Sequence, residues 1–322
     1  MESFSSKHCA MKKTMFLLCC SLVFASCSKE RRSNKAGEKM QQFVQDISAY
    51  AKGIKSNFFI IPQNGSELAF NHLDPSEGRN EAYLSVIDGI GIEELFYDGN
   101  YSPDQEDLER LRTLVNSERI LVSENITDAG NIPDAVTKNS AEGFLCFPRD
   151  ASNYDYINIP SNPTNEHNGN VSSLSDAKNY LYLINSKNFP TKQSFLDALA
   201  ATNYDILLID LFYENESFTA SEINQLKTKA NGGTRLVIAY MNVGSAENYR
   251  YYWKDNWKKG RPNWLAKPYE GYADEIWVKF WKDEWRAIIF GNDNSYTKRI
   301  IDAGFDGAYL DNVEAYYFLY FE

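Results

Sequence analysis

Short apolar runs alternate with helically spaced apolar residues along most of the chain. Four runs fall in the first half: FFIIPQN from Phe58, VIDGIGIEELF from Val86, RILVSEN from Arg119 and GFLCFPRD from Gly143. Four fall in the second: YDILLIDLF from Tyr204, RLVIAYMNVG from Arg235, EIWVKFW from Glu275 and FDGAYLDNV from Phe305. Each is rich in Ile, Val, Leu, Phe or Tyr and ends in polar residues, the pattern of a strand buried on both faces. Between them, EKMQQFVQDISAYAKGI sets Met40, Phe43, Val44, Ile47, Tyr50 and Ala51 at helical spacing. TASEINQLKTKA opens on Thr219 with Glu222 three residues on, a capping box. Eight strands alternating with helices predict an α/β fold closed as a (β/α)8 TIM barrel. No glycine-rich phosphate loop supports an open doubly wound sheet instead.

The two blocks of strands are separated by SNPTNEHNGNVSSLSD, residues 161–176, rich in Asn, Ser and Pro and expected to be a linker. An amphipathic helix pair, DAKNYLYLINSK and KQSFLDALAAT, is expected to lead from it into the second block. At the other end, Met11-Lys12-Lys13, the apolar stretch Phe16 to Phe24 and the small residues Ala25-Ser26 precede Cys27. That stretch is too short to span a bilayer and has the form of an export signal over residues 1–26. It resembles a bacterial lipoprotein signal, with Cys27 as the acylated residue and residues 27–37 as a charged tether. The resemblance places the protein in the bacterial cell envelope, lipid-anchored at the outer membrane on its periplasmic or surface face.

Charge narrows the partners. The formal net charge is −11, and removing residues 1–26, which hold Glu2 against Lys7, Lys12 and Lys13, makes it −13. Nucleic acid, which needs a basic face, is excluded; a neutral or cationic ligand fits. Cys146 is the single cysteine left once the signal and Cys27 are set aside, so no disulfide framework is available, and its apolar surroundings suggest a buried thiol. His8, His72 and His167 lack ligand spacing. Neither a metal nor a cofactor is expected, and a monomer is.

The runs YDILLIDLF, VIAYMNVGSAENYRYYW, GFDGAYLDNVEAYY, FFIIPQNGSEL and DGIGIEELFY together resemble the glycoside hydrolases of the endo-α-1,4-polygalactosaminidase type (family 114) and their bacterial relatives. The order of the motifs differs from the family's. There, the strand like YDILLIDLF comes first and the one like FDGAYLDNV fourth, followed by the equivalent of MQQFVQDISAYAKGIKSNFFIIPQN. The resemblance therefore implies a circularly permuted barrel. Residues 177–322 supply family strands one to four, residues 38–160 strands five to eight, and the old termini are joined through 161–176.

Glycosidic cleavage needs one carboxyl to protonate the leaving oxygen and another to attack or to activate water. The resemblance gives these roles to Asp311, at the end of YLDNV, and Glu93, in GIGIEELFY. From the residues alone, Asp311 with Glu314 could equally cap a helix, and Glu93 and Glu94 could be solvated. A barrel enzyme works at the C-terminal ends of its strands. Those ends offer Asp210, Tyr240, Asn242, Gln63, Asn64, Glu124, Arg149 with Asp150, and Asn312 as contacts for a polysaccharide or oligosaccharide substrate. Glu247 and Arg250 could contact sugar or simply pair with each other. All six tryptophans lie between Trp253 and Trp285, and of these Trp264 and Trp281 are expected to meet sugar rings. Two positions depart from the family: Ile92 replaces a basic residue and Ser245 stands where relatives carry a glutamate. They leave open a carbohydrate-binding lipoprotein that keeps the barrel without turnover.

Overall fold

The computed structural model describes residues 5–321, with side chains from 29 to 320. The side chains of the expected export signal and of Cys27 lie outside the described residues. Eight parallel strands form the centre: β1 (Phe59–Pro62), β2 (Gly89–Tyr101), β3 (Arg119–Ile126), β4 (Leu145–Asp150), β5 (Leu181–Leu183), β6 (Ile206–Asp210), β7 (Leu236–Asn242) and β8 (Gly307–Asp311). They pair as a five-stranded sheet in the order β1-β8-β7-β6-β5 and a three-stranded sheet β2-β3-β4. A parallel bridge between Gln63 and Gly91 joins the two at β1 and β2. At the opposite edges, Phe147 of β4 packs on Tyr180 beside β5 with ring centroids 5.7 Å apart. The last strand thus pairs with the first: Gly307 lies opposite Phe59 and Leu310 opposite Pro62.

Seven of the eight apolar runs supply these strands, and two expectations change. EIWVKFW belongs to an antiparallel strand, Tyr272–Val278, between Ser245–Glu247 and Leu265–Tyr269. Alternating burial looks the same in a hairpin as at the edge of a barrel, so its pattern could not name its partners. The eighth parallel strand is β5, inside DAKNYLYLINSK, whose Leu181, Tyr182 and Leu183 are all buried. Three buried residues between polar flanks carry no periodicity that separates strand from helix.

Helix α1 (Ser5–Ile54) turns Ala36, Met40, Phe43, Val44, Ile47 and Ala51 into the core, all buried at helical spacing. Phe43 stacks on Phe280, centroids 5.9 Å apart. The expected tether is therefore ordered helix: Ser33 and Ala36 are buried, and Ser33 Oγ donates to the carbonyl of Tyr316 at 3.4 Å. Tyr316 lies on α2 (Ala315–Phe321), which follows β8 and packs along α1. The capping box at Thr219 forms, its N–H donating to Glu222 at 2.7 Å. Segment 161–176 is irregular except for one short turn, Leu174–Asp176. It is clasped to the N-terminal end of β6 by His167 Nε2, 2.7 Å from Asp205, whose carboxylate also pairs with the buried Lys229 at 3.0 Å. Cys146 is buried and unpaired.

Candidate active site

The C-terminal ends of the parallel strands surround a cleft of ≈ 660 Å³. Asp311 reaches it as the last residue of β8, in register with Asn242 of β7. Glu93 reaches it from β2, in register with Ser123 of β3. Beyond Glu93 the ladder resumes at Asp98 opposite Asn125, so four residues oppose the single Glu124. Glu124 holds this bulge together: its carboxylate, fully buried, accepts from Phe96 N at 3.1 Å, Tyr97 N at 3.0 Å and Asn139 Nδ2 at 2.7 Å. Expected as a sugar contact, Glu124 instead turns the backbone that presents Glu93 and Glu94.

Asp311 is held by three donors: Tyr240 Oη at 2.5 Å, Asn312 N at 2.8 Å and Asn312 Nδ2 at 3.2 Å. Burial and the charge of Glu93 outweigh them, and its pKa is pushed up to about 7. Glu93 accepts from Tyr156 Oη in a short hydrogen bond, and Arg149 Nη1 stands 3.8 Å away. Arg149 gives its Nη2 to Glu94 at 2.8 Å. Asn64 ties both sides together, accepting from Glu93 N at 3.1 Å and donating to Glu314 at 3.0 Å. Burial pushes Glu314 up to about 8. On the other flank Arg250, almost fully buried, bonds Glu247 at 2.7 Å and Asp210 at 2.8 Å. Gln63 lines the floor and accepts from Tyr182 Oη at 3.0 Å.

The backbone is strained where it meets the cleft. Asn64, Glu94, Tyr156, Glu214 and Asn312 all have positive φ and all line it. Asparagine adopts that conformation readily; a glutamate or tyrosine does so at a cost that the surroundings must offset. Two close approaches require glycine. A Cβ at Gly91 would lie 1.9 Å from Tyr309 Oη beneath the cleft, and one at Gly244 would lie 1.9 Å from the carbonyl of Asn312.

Of the residues singled out in the sequence, the cleft gathers Asp311, Glu93, Asp210, Tyr240, Glu247, Arg250, Asn312, Gln63, Asn64 and Arg149. Asn242 lies just behind it, its side chain accepting from Gly244 N and Ser245 N to shape the following turn. Trp264 is not in the cleft. It is 1 % exposed, packed between Trp257 and Trp285 at 4.9 and 5.1 Å. Trp281 is also elsewhere, under the ammonium of Lys39 on α1 at 4.7 Å. Tryptophan clustering marked the core of the excursion between β7 and β8. The exposed aromatics at the cleft are Tyr154, Tyr249 and Tyr272.

Sequence reasoning missed Tyr156 and Glu275, and noted Glu314 only as a possible cap. Glu275 comes from the antiparallel excursion; its Oε2 accepts from Ser245 Oγ at 2.5 Å and Asn242 Nδ2 at 3.2 Å, and burial with the nearby Glu247 pushes it up to about 8. A carboxyl therefore stands against Ser245 although Ser245 itself brings none. Ile92, the other departure, is 1 % exposed and lies in the core. Nothing in EIWVKFW signalled that its first residue would turn back into the site. Among the described residues no group of His, Cys, Asp and Glu could hold a metal ion.

Carboxylates at the C-terminal ends of parallel strands, in one polar cleft, are the kind of arrangement that glycoside hydrolases use. Residues 175–319 match the sequence model of Glycoside-hydrolase family GH114. An uncharacterised protein of Methanocaldococcus jannaschii is 35% identical over 150 residues, which is 46% of this chain and 40% of its own length. Uncharacterised proteins of Thermotoga maritima and Deinococcus radiodurans are each 32% identical, over 37% and 38% of this chain. The matches span 35% to 40% of the length of these relatives.

Proposed function

We propose that the protein is an exported glycoside hydrolase that cleaves an α-linked polysaccharide, an amino-sugar polymer above all, with Asp311 and Glu93 as its carboxylate pair. The observation that carries this reading is that two carboxyls from the two halves of the chain line one cleft in different environments. Asp311 is buried and pushed up to about 7, while Glu93 accepts from Tyr156 beside the Arg149 guanidinium. Glycosidic cleavage asks for two carboxyls in different roles, and environments that differ in this way suit that division. Asp210, Glu247 and Arg250 on one flank, and Gln63, Asn64 and Asn312 on the other, would bind sugar hydroxyls.

The choice of an amino sugar follows from charge. Ten carboxylic acids line the cleft against two arginines, and both arginines are already bonded to carboxylates. A cationic sugar would relieve that excess; an anionic one would add to it.

The fold is a closed, circularly permuted (β/α)8 barrel in one domain. The pairing of β8 with β1 and the packing of α2 along α1 favour it, because the segment from β8 through α2 and α1 to β1 is continuous in space although not in sequence. Export, acylation at Cys27, attachment to the outer membrane and a monomeric state complete the proposal.

The test is to incubate the purified protein with partly deacetylated α-1,4-linked galactosamine polymers, alongside neutral and anionic glycans. Shortened chains from the cationic polymer are expected. Binding without shortening would instead favour a carbohydrate-binding barrel.

A further inference from the structure

Tyr156 stands outside the segment that matches the family and belongs to none of the eight strands. Its hydroxyl has one hydrogen, which goes to Glu93 Oε1. Ser123 Oγ, 3.0 Å away, therefore donates to it, giving a chain from Ser123 through Tyr156 to Glu93. Burial keeps the phenol protonated far above neutral pH, so the direction of that chain is fixed.

The ring is held as firmly as the hydroxyl. It stacks on Tyr182 with centroids 3.9 Å apart, and the Arg149 guanidinium lies over the ring, 4.4 Å from its centroid. The backbone at Tyr156 is left-handed, φ 54°, which is costly for a bulky side chain. Asn153 holds the turn, its Oδ1 accepting from Ile157 N at 2.8 Å and Asn158 N at 2.7 Å, while Asn185 N bonds the Tyr156 carbonyl at 3.3 Å. A segment with no regular structure keeps a strained tyrosine in one place, and that place is against Glu93.

We propose that Tyr156 is a positioning residue that keeps Glu93 directed into the cleft and away from Arg149. Arg149 already bonds Glu94 at 2.8 Å and stops 3.8 Å short of Glu93. One of its nitrogens, Nη1, is buried with no hydrogen-bond partner. An unpaired buried guanidinium nitrogen would gain by drawing Glu93 in, because charge-assisted pairing is stronger than a bond to a neutral donor. The phenol competes for the same Oε1 and holds the carboxylate where substrate would meet it.

The inference rests on the proposed role of Glu93, and two readouts separate them. The first is a crystal structure of Tyr156→Phe, which keeps the ring, its stacking and the fold. Glu93 is expected to turn toward Arg149 and close from 3.8 Å to hydrogen-bond distance of Nη1; Glu93 unmoved would overturn the proposal whatever the enzyme does. The second is a double-mutant cycle on the cleaved polymer with Tyr156→Phe and Glu93→Gln. Tyr156→Phe alone is expected to lower kcat about 10- to 100-fold with KM changed less than about 2-fold, and to cost nothing further once Glu93 is glutamine. Additive losses, or a loss carried by KM, would assign Tyr156 to packing or substrate contact and also overturn it. Displacement of Glu93 in a protein that cleaves no glycan would leave the positioning role standing and remove the functional reading.

Discussion

In the proposed reaction Asp311 is the residue on which the chemistry turns, and its environment makes a pH prediction. Burial and the neighbouring Glu93 raise it to about 7, so it keeps a proton at pH values where an ordinary aspartate has lost one. If that proton goes to the leaving oxygen, kcat/KM falls as pH rises through about 7. A rate still climbing at pH 8 to 9 would reject that role, read from a pH–rate profile on soluble oligomer. Glu275 and Glu314 make a prediction of opposite kind, about stability. Both rise from 4.5 to about 8, so between these values the folded chain binds protons that the unfolded chain releases. Their stabilising contribution is present below about 4.5 and is lost as pH rises to about 8. Glu275→Gln, whose amide oxygen can still accept from Ser245 and Asn242, is expected to raise Tm by on the order of 2–4 °C at pH 8.5. At pH 4 it is expected to change it little, as thermal unfolding at both pH values would show.

Elements explain which of these residues could be found in advance. Asp311, Glu93, Asp210, Tyr240 and Gln63 were legible because each terminates or follows an apolar run, and parallel strands deliver their C-terminal ends to one face. Glu275 was not legible, since it begins a run that pairs antiparallel with Ser245–Glu247 rather than entering the parallel sheet. Tyr156 was hidden by its irregular segment, where no periodicity exists to read. Trp264 misled because aromatic clustering does not distinguish a sugar platform from a satellite core. Helix α1 carries a test at this scale. Phe43 is fully buried against Phe280 and Phe290, so Phe43→Ala is expected to cost about 3–5 kcal/mol in urea unfolding. A cost below about 1 kcal/mol would mean that α1 is not part of the core. Beneath the cleft, Gly91→Ala forces Tyr309 aside and is expected to lower kcat as well as stability, the overpacking costing about 1–3 kcal/mol.

At the scale of the whole molecule, the proposed barrel is a ring of strands entered at an unusual point. If so, a rearranged gene placing residues 177–322 before 38–160, joined through a short linker, should give a protein with the same near-ultraviolet circular dichroism and a Tm within a few degrees. An insoluble or molten product would count against the permuted barrel. The arrangement of strands matters because it brings Asp311 and Glu93, 218 residues apart in sequence, to one cleft. The most direct measurement is therefore the turnover of a partly deacetylated galactosamine polymer by the wild type, Asp311→Asn and Glu93→Gln, with binding of the polymer measured calorimetrically for all three. The expected result is cleavage by the wild type, a loss on the order of 1000-fold or more in kcat for each variant, and binding retained by both. Cleavage that survives either substitution, with binding unchanged, would contradict the assignment of this carboxylate pair.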